Sequence, residues 1–174
     1  TTGEAHGTLG LSLGGVFMLG AGVLKRLGLV PSGTETIHVL SHMYTETLGP
    51  WASVLRGDTV KEGNVLHLDG ADHWTISGSS LTNGEKGVMA DQATHNVVQD
   101  LAVHHIGHEG IHLRTFSSHN LVRDNLVHHT GLRKAKYGEG VYVGSAHSNW
   151  CEHSGCKPDR SDRNRILGNR IGPD

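Results

Sequence analysis

The chain has 174 residues, of which 25 are glycine, 4 are proline and 5% are aromatic, and its formal net charge is −2. This length suits one domain with a sizeable core, and the composition favours strands and loops over long amphipathic helices. The small negative charge, with no basic run longer than Arg133-Lys134, argues against a nucleic-acid partner.

Residues 1–50 are the least regular part of the chain. The stretch from Leu9 to Leu24 is apolar and rich in glycine, and Lys25-Arg26 follow it. It is too short for a membrane span, which takes about 20 residues, and a secretory signal carries its basic residues in front of the apolar stretch. Because terminal repeats must cover exposed strand edges, we expect 1–50 to form an irregular N-terminal cap and 51–174 to form the repeating domain, with no membrane partner.

From Leu66 to Ile171 whole blocks of sequence recur. The block HWTI at 73–76 returns as HNVV at 95–98, HNLV at 119–122 and RNRI at 163–166, at offsets of 22, 24 and 44 residues. The last offset equals two turns, or one turn with a large insertion. Such self-similarity with strand-like alternation predicts an all-β fold, a single-stranded parallel β-helix with coils of about 22–24 residues. A β-sandwich would not repeat whole blocks.

Each coil opens with a strand whose residues alternate between two faces. In the coil at 86–91, Val88 and Ala90 are predicted to point inward, while Met89 and Asp91 point outward. We expect positive φ angles at the corner glycines before three of these strands and at a recurring asparagine column. Stacked asparagine amides can also hydrogen-bond along the solenoid. These positions are Gly87, Gly110 and Gly140, and Asn96, Asn120 and Asn164.

The outward residues of stacked coils lie about 4.8 Å apart and form one surface patch. Asp91 is predicted to lie beside Arg114, and glutamates stand just before the corner glycines. The candidate catalytic residues are Glu109, His112, Arg114, Glu139 and Tyr142. Insertions after His129 and Val143 are predicted to form walls beside the patch. The candidate substrate-binding residues are Lys86, Lys134, Lys136, Trp150 and Arg160.

Asp69 and Asp91 are candidate ligands of Ca²⁺, a cation that prefers carboxylate oxygens. A structural interpretation competes with every role in the patch. Asp91 with Arg114 is equally well explained as a cross-strand ion pair worth about 0.2–1 kcal/mol. In the same structural interpretation the glutamates only bind corner amides, and Tyr142 only stacks on His112.

Two histidine pairs, His104-His105 and His128-His129, occupy equivalent positions in successive coils. We expect His104 to stack near His128 and His105 near His129. Strand alternation predicts that the members of one pair point in opposite directions, which limits a metal site to two histidine ligands. A solvated turn column is the favoured interpretation, and protonation of the stacks predicts lower stability in mild acid.

Cys151 and Cys156 are separated by four residues that include Gly155. This spacing predicts a small loop-closing disulfide, which would contribute about 2 kcal/mol by the chain-entropy estimate. The alternative is a metal site, but a second ligand pair at zinc spacing is missing from the sequence. A disulfide implies an oxidising, extracellular compartment.

Several stretches carry a resemblance to a known group of proteins. They are HWTISG at 73–78, KGVMAD at 86–91, GHEGIHLRTFSSHN at 107–120, KYGEGVYVGSAHSNW at 136–150 and CKPDRSDRN at 156–164. Together they resemble secreted microbial right-handed parallel β-helix proteins of the pectate-lyase-like type. The resemblance implies a right-handed coil and secretion. It also implies further coils beyond Asp174, so we expect a fragment, or end-to-end contact with another chain at the uncapped last coil.

These observations favour a secreted carbohydrate-active protein that acts on an acidic, uronate-containing polysaccharide. The leading hypothesis is a polysaccharide lyase, since β-elimination needs a cation at the substrate carboxylate and a base at the α-proton. The alternatives are a glycoside hydrolase, which needs two suitably spaced carboxylates, and a solenoid that binds polysaccharide without turnover.

Overall fold

The computed structural model describes residues 53–172 and three strand segments, 8–10, 36–39 and 44–47. The rest of the predicted cap, including most of the apolar stretch that ends at Leu24, lies outside the described residues. The division at residue 50 therefore stays a prediction. In the part of the chain that is described, no helix is long and apolar enough to cross a membrane.

Short strands are the main regular element of the described chain. In chain order they are β1 Thr8–Gly10, β2 Thr36–Val39, β3 Tyr44–Thr47, β4 Ser53–Arg56, β5 Asn64–Asp69, β6 Thr75–Ser77, β7 Ser79–Thr82, β8 Lys86–Asp91, β9 Val97–Gln99, β10 Ala102–His104, β11 Ile111–Arg114, β12 Leu121–Arg123, β13 Leu126–His128, β14 Val141–Val143, β15 Arg165–Leu167 and β16 Arg170–Ile171. Two 3₁₀ turns, Ala135–Tyr137 and His147–Asn149, and one helical turn, α1 Trp150–His153, interrupt them.

The strands form three sheets that wind as a solenoid. Sheet I has the order β14-β11-β8-β5-β2, sheet II has β1-β6-β9-β12-β15, and sheet III has β16-β13-β10-β7-β4-β3. From β5 onward the chain visits sheets I, II and III in turn, and each strand pairs in parallel with its counterpart one coil away. The pairs β2–β5 and β3–β4 are antiparallel. The predicted parallel β-helix is confirmed.

Strand pairing decides how the 44-residue offset arises. Val122 of β12 pairs directly with Ile166 of β15, so the interval is one coil with insertions and not two coils. The inserted residues lie on either side of β14, where the sequence predicted walls. The insertions therefore leave the stacking of the three sheets intact.

The inward positions of the opening strands form the core, as predicted. Val88 and Ile111 have no exposed surface, and Ala90 and Leu113 are 1% exposed. Branched side chains fit this narrow interior because successive coils place them directly above one another. A consequence of this rigid interior is that outward side chains are held at fixed positions on sheet I.

Two asparagine ladders run along the solenoid. Asn120 Oδ1 accepts hydrogen bonds from the backbone N–H and the side-chain amide of Asn96, and Asn164 Oδ1 does the same for Asn120. Asn125 and Asn169 form the second ladder. The ladder prediction is confirmed, but the expected left-handed geometry was wrong by one residue. The positive φ angles fall on the residues before these asparagines, which are His95, His119 and Arg163, and on His73 at the equivalent place before Trp74.

The corner glycines also serve a different purpose from the predicted one. Gly87, Gly110 and Gly140 are not among the residues with positive φ. A Cβ at Gly110 would lie 2.5 Å from a methyl group of Val127 and 2.7 Å from the carbonyl oxygen of Gly140. These glycines are required because successive coils approach too closely for any side chain.

Candidate functional site

A cleft of about 310 Å³ opens on the outer face of sheet I, between the two insertions. It is lined by most of the predicted site residues, namely Lys86, Glu109, His112, Arg114, Lys136, Glu139 and Tyr142. The register explains this convergence, because His112 pairs with Met89 on one side and with Tyr142 on the other. Residues far apart in sequence thus become neighbours on one surface.

The predicted contact between Asp91 and Arg114 is present at the edge of the cleft. Arg114 Nε donates to Asp91 Oδ1 at 2.8 Å, and Thr115 Oγ1 donates to the same oxygen at 2.7 Å. His67 Nε2 lies 2.8 Å from Asp91 Oδ2. Burial alone would raise the pKa of Asp91, but the hydrogen bonds from these three residues outweigh it and lower the pKa. Asp91 is therefore a firmly ionised anchor for Arg114.

These contacts do not suit the proposed Ca²⁺ ligands. Asp69 and Asp91 are paired in register, but both oxygens of Asp91 already bind His67, Arg114 and Thr115. Among residues 53–172 no group of three or more His, Cys, Asp or Glu side chains could hold a metal ion together. Calcium binding thus stays a prediction that the local contacts do not favour, and no step proposed below depends on it.

His112 is buried at the floor of the cleft, with 4% of its surface exposed. Burial lowers its pKa to about 4, so the ring is neutral at pH 7. Its Nε2 lies 2.9 Å from the carbonyl oxygen of Gly144, which requires a proton on Nε2. The other nitrogen, Nδ1, lies 3.7 Å from Glu109 Oε1 and has no hydrogen-bond partner among the described residues. His112 fixes the start of the second insertion and supports the ring of Tyr142, 4.5 Å away between centroids.

Glu109 is paired with Lys86 beneath the cleft. Burial alone would raise the pKa of Glu109, but the hydrogen bond from Lys86 lowers it. A carboxylate held ionised in this way is a poor general acid. Glu139, by contrast, lies exposed at the rim.

The pKa values of two tyrosines in the cleft are shifted in opposite directions. A hydrogen bond from Lys136 and its positive charge lower the pKa of Tyr137. The Lys136 ammonium lies 4.6 Å from the centre of the Tyr137 ring, and that of Lys134 lies 5.6 Å away. Burial, followed by the charges of Glu139 and Glu109, raises the pKa of Tyr142. One phenol is thereby easier to deprotonate and the other is held protonated, a difference that suits base and acid roles.

Three predicted wall residues do not line the cleft. Lys134 lies on the first insertion, with its ammonium 5.6 Å from the centre of the Tyr137 ring. The Trp150 indole N–H donates to the carbonyl oxygen of Ser145 at 3.0 Å, so this residue holds the second insertion together. Arg160 is exposed, and its carbonyl oxygen accepts a hydrogen bond from Ser118. Loop paths are not periodic, which is why coil register could not place these side chains.

The second insertion is closed on itself by a disulfide and fastened to the solenoid by Asp159. Cys151 and Cys156 form the predicted disulfide. Asp159 accepts hydrogen bonds from the backbone N–H groups of Thr115 and Phe116, at 2.9 and 3.0 Å, and from the hydroxyl of Ser145. Although burial opposes it, these bonds lower the pKa of Asp159. The insertion is consequently a fixed wall.

The sequence interpretation missed several residues of the cleft. Tyr137 ends the first insertion, His153 of α1 lies 3.1 Å from an Arg114 nitrogen, and His108 packs against the Tyr137 ring. Ser145, Ala146 and Asn149 complete the lining. The only available signal was the position of Tyr137 directly before the corner sequence GEG, beside two lysines.

The paired histidines stack as predicted, but their orientation was wrong. The ring centroids of His104 and His128 are 5.2 Å apart, and those of His105 and His129 are 4.7 Å apart. His105 and His129 have φ angles of 53° and 50°, outside the strand conformation. The strict alternation of a strand therefore ends at His104 and His128, and both rings of a pair turn toward each other.

Comparison with known proteins agrees with this architecture. The family model described as a right handed beta helix region matches residues 55–171 of this chain. The chain belongs to the right-handed β-helix family. Among solved structures, this β-helix is similar to the alginate lyase from Paenibacillus sp. str. FPU-7, with 40% sequence identity and a TM-score of 0.65. The match covers 69% of this chain but only 39% of the lyase. No curated protein matches the chain.

Proposed function

We propose that this β-helix is a polysaccharide lyase that cleaves a uronate-containing polysaccharide by β-elimination in the cleft on sheet I. The carrying observation is that Tyr137, with a lowered pKa, and Tyr142, with a raised pKa, line one cleft together with Lys136. The similarity to an alginate lyase supports the reaction class. The disulfide supports an extracellular location.

The proposed reaction begins at the uronate carboxylate. The ammonium of Lys136 attracts this group and stabilises the negative charge that develops when the neighbouring C5 proton leaves. Among the described residues Lys136 forms no ion pair with a carboxylate, so its charge is available to substrate. Arg114 is held by Asp91 and His153 and acts through its fixed charge at the edge of the cleft.

The proton transfers follow from the two tyrosines. Tyr137, as the phenolate, removes the C5 proton, and the electron pair of that C–H bond forms the C4–C5 double bond. The C4–O4 bond breaks, and the leaving oxygen takes a proton from the hydroxyl of Tyr142. Each such transfer by a positioned side chain is typically worth about 10²–10⁴ in rate. His112 positions Tyr142 by stacking against its ring.

The hydrolase alternative is less well supported. Hydrolysis needs a carboxylic acid whose pKa is raised so that it can protonate the leaving group. Glu109 has its pKa lowered by Lys86 and is therefore a poor candidate.

The test is to incubate the protein with alginate, polygalacturonate and glucuronan, with and without Ca²⁺, while following the ultraviolet absorbance of the unsaturated product. We expect absorbance to rise on at least one polymer, and Tyr137→Phe and Tyr142→Phe each to reduce the rate by about 10² or more. Reducing ends without new absorbance would indicate a hydrolase. Saturable binding with neither signal would indicate a binding module and reject the lyase.

A further inference from the structure

Glu85, in the turn before β8, takes no part in the proposed reaction and is not among the residues that line the cleft. Its Oε1 atom nevertheless contacts two side chains from different parts of the chain. The guanidinium of Arg133, on the first insertion, donates to this oxygen. Nδ1 of His108, in the turn before β11, lies 3.3 Å from the same atom. One carboxylate oxygen therefore joins the first insertion to two successive coils.

The contact with Arg133 fixes the path of the first insertion. The backbone N–H of Arg133 donates to the carbonyl oxygen of Gly107 at 2.9 Å, and its side chain also donates to the carbonyl oxygen of Lys61. The insertion is thus folded back over the coils that precede it, and Glu85 supplies the charged partner among these acceptors. Later in the same insertion Tyr137 enters the cleft.

The contact with His108 supports the Tyr137 ring itself. The centroids of the two rings are 5.3 Å apart, with an interplanar angle of 64°. Only 13% of the His108 side chain is exposed, and burial lowers the pKa of His108, so that its ring is neutral at pH 7. Glu85 therefore holds a neutral imidazole against the proposed base.

The same contact selects one tautomer of His108. A neutral imidazole carries a single N–H, and a carboxylate can only accept a hydrogen bond. With the proton on Nε2, the lone pair of Nδ1 would face the Glu85 oxygen and be repelled by it. The proton is consequently on Nδ1, which leaves Nε2 as a buried acceptor without a hydrogen-bond partner among the described residues.

We propose that Glu85 is a positioning residue for Tyr137, acting through Arg133 and His108. The arginine fixes the insertion that carries Tyr137, and the histidine supports its ring, so that together they set where the phenolic oxygen meets the C5 proton of the substrate. This inference rests on the proposed lyase reaction, in which Tyr137 is the base. A displacement of about 1 Å caused far from the reacting atoms can reduce a rate by about 10².

The test compares Glu85→Ala with Glu62→Ala on the polymer that the wild type cleaves. Glu62 is an exposed glutamate of the preceding coil whose side chain forms no ion pair among the described residues. We expect Glu85→Ala to lower kcat by about 10-fold to 10²-fold while KM changes by less than about threefold, because substrate binding is retained and only the geometry of the base is lost. Glu62→Ala should change neither constant.

Circular dichroism establishes that each variant is folded under the assay conditions. Glu85→Gln, which keeps an oxygen acceptor, provides the same comparison with a smaller expected loss if alanine prevents folding. An equal kcat in the Glu85 and Glu62 variants, or a rise of KM with kcat unchanged, would overturn the positioning role.

Two NMR measurements test the same contacts without activity. The nitrogen chemical shifts of the His108 ring should report the Nδ1–H tautomer in the wild type and in Glu62→Ala, and a mixture of tautomers in Glu85→Ala. The ring signals of Tyr137 should move only in Glu85→Ala. An Nε2–H tautomer in the wild type, or unmoved Tyr137 signals in Glu85→Ala, would overturn the proposal. If the wild type forms no unsaturated product, the proposed lyase function fails, and these NMR outcomes alone decide whether Glu85 positions Tyr137.

Discussion

Arg114 of β11 and Asp91 of β8 face each other across adjacent coils, with Nε and Oδ1 2.8 Å apart. This contact joins the solenoid to the edge of the cleft, because Arg114 also lies 3.1 Å from His153 of the second insertion. The position of the wall therefore depends on the register of the coils beneath it.

Removing the charge of Asp91 should destabilise the fold. Asp91→Asn leaves the Arg114 guanidinium facing a neutral amide and disturbs the hydrogen bonds from His67 and Thr115. We expect a loss of about 2–3 kcal/mol, because hydrogen bonds to charged groups are worth about 1.5–3 kcal/mol. Urea unfolding measures it. The control is Asp100→Asn, an exposed position with φ of 52° that asparagine tolerates; equal midpoints for the two variants would contradict the prediction.

An amide of the asparagine ladder should contribute more to the stability of the fold than an exposed amide does. Asn120→Ala removes the acceptor of the Asn96 backbone N–H and the donor to the Ala93 carbonyl, and both groups are buried. Each buried group left without a partner costs about 1–3 kcal/mol, so we expect a total loss of about 2–4 kcal/mol. Thermal unfolding of Asn149→Ala provides the comparison, since Asn149 is exposed and, among the described residues, its side chain hydrogen-bonds only to Ser148. A similar loss in both variants would show that the ladder adds nothing.

Stability should fall in mild acid because His112 is buried as the neutral ring. Its pKa is about 4 in the folded protein and about 6.5 in the unfolded chain. Between these values the unfolded state binds more protons, so the stabilisation is complete above pH 6.5 and is lost as the pH falls toward 4. The loss at pH 5 is on the order of 2 kcal/mol.

Melting temperatures at pH 7.5 and pH 5 test this prediction. We expect a fall of roughly 4–8 °C, since about 1 kcal/mol shifts Tm by about 2–4 °C in a chain of this size. His112→Gln should reduce the difference, because glutamine can still donate to the Gly144 carbonyl but does not titrate. His119→Asn, at an exposed histidine, should keep it. If His112→Gln shows the same difference in melting temperature between pH 7.5 and pH 5, His112 is not the source of the acid sensitivity.

The two lysines near Tyr137 should affect catalysis unequally. Lys136 lowers the pKa of Tyr137, so Lys136→Gln should move the rise of kcat/KM to higher pH. Lys134 lies farther from the same ring, at 5.6 Å against 4.6 Å, and Lys134→Gln should produce a smaller shift. The pH profile of lyase activity for both variants measures the difference. Equal shifts would indicate a general effect of surface charge instead of a specific contact.

Local sequence failed where an interaction depended on a partner from another coil. The asparagine column was expected to have positive φ, but the histidine or arginine before each asparagine has it instead. The reason is that each asparagine amide must align with the amide of the next coil to form the ladder. Corner glycines were likewise expected to be left-handed, but the close approach of the neighbouring coil requires them. In both cases the sequence pattern identified a structurally important residue, but the physical reason predicted for it was wrong.

The amino-acid sequence by itself determined the coil period, the inward faces of the strands, the asparagine ladders and the disulfide, because each follows from spacing along the chain. It also grouped Glu109, His112, Arg114, Glu139 and Tyr142, since register makes them vertical neighbours. Only the tertiary structure decided that Tyr137 enters the cleft, that Trp150 and Arg160 do not, and that paired histidine rings face each other. Those features depend on insertion paths and single backbone angles, which no periodic pattern encodes.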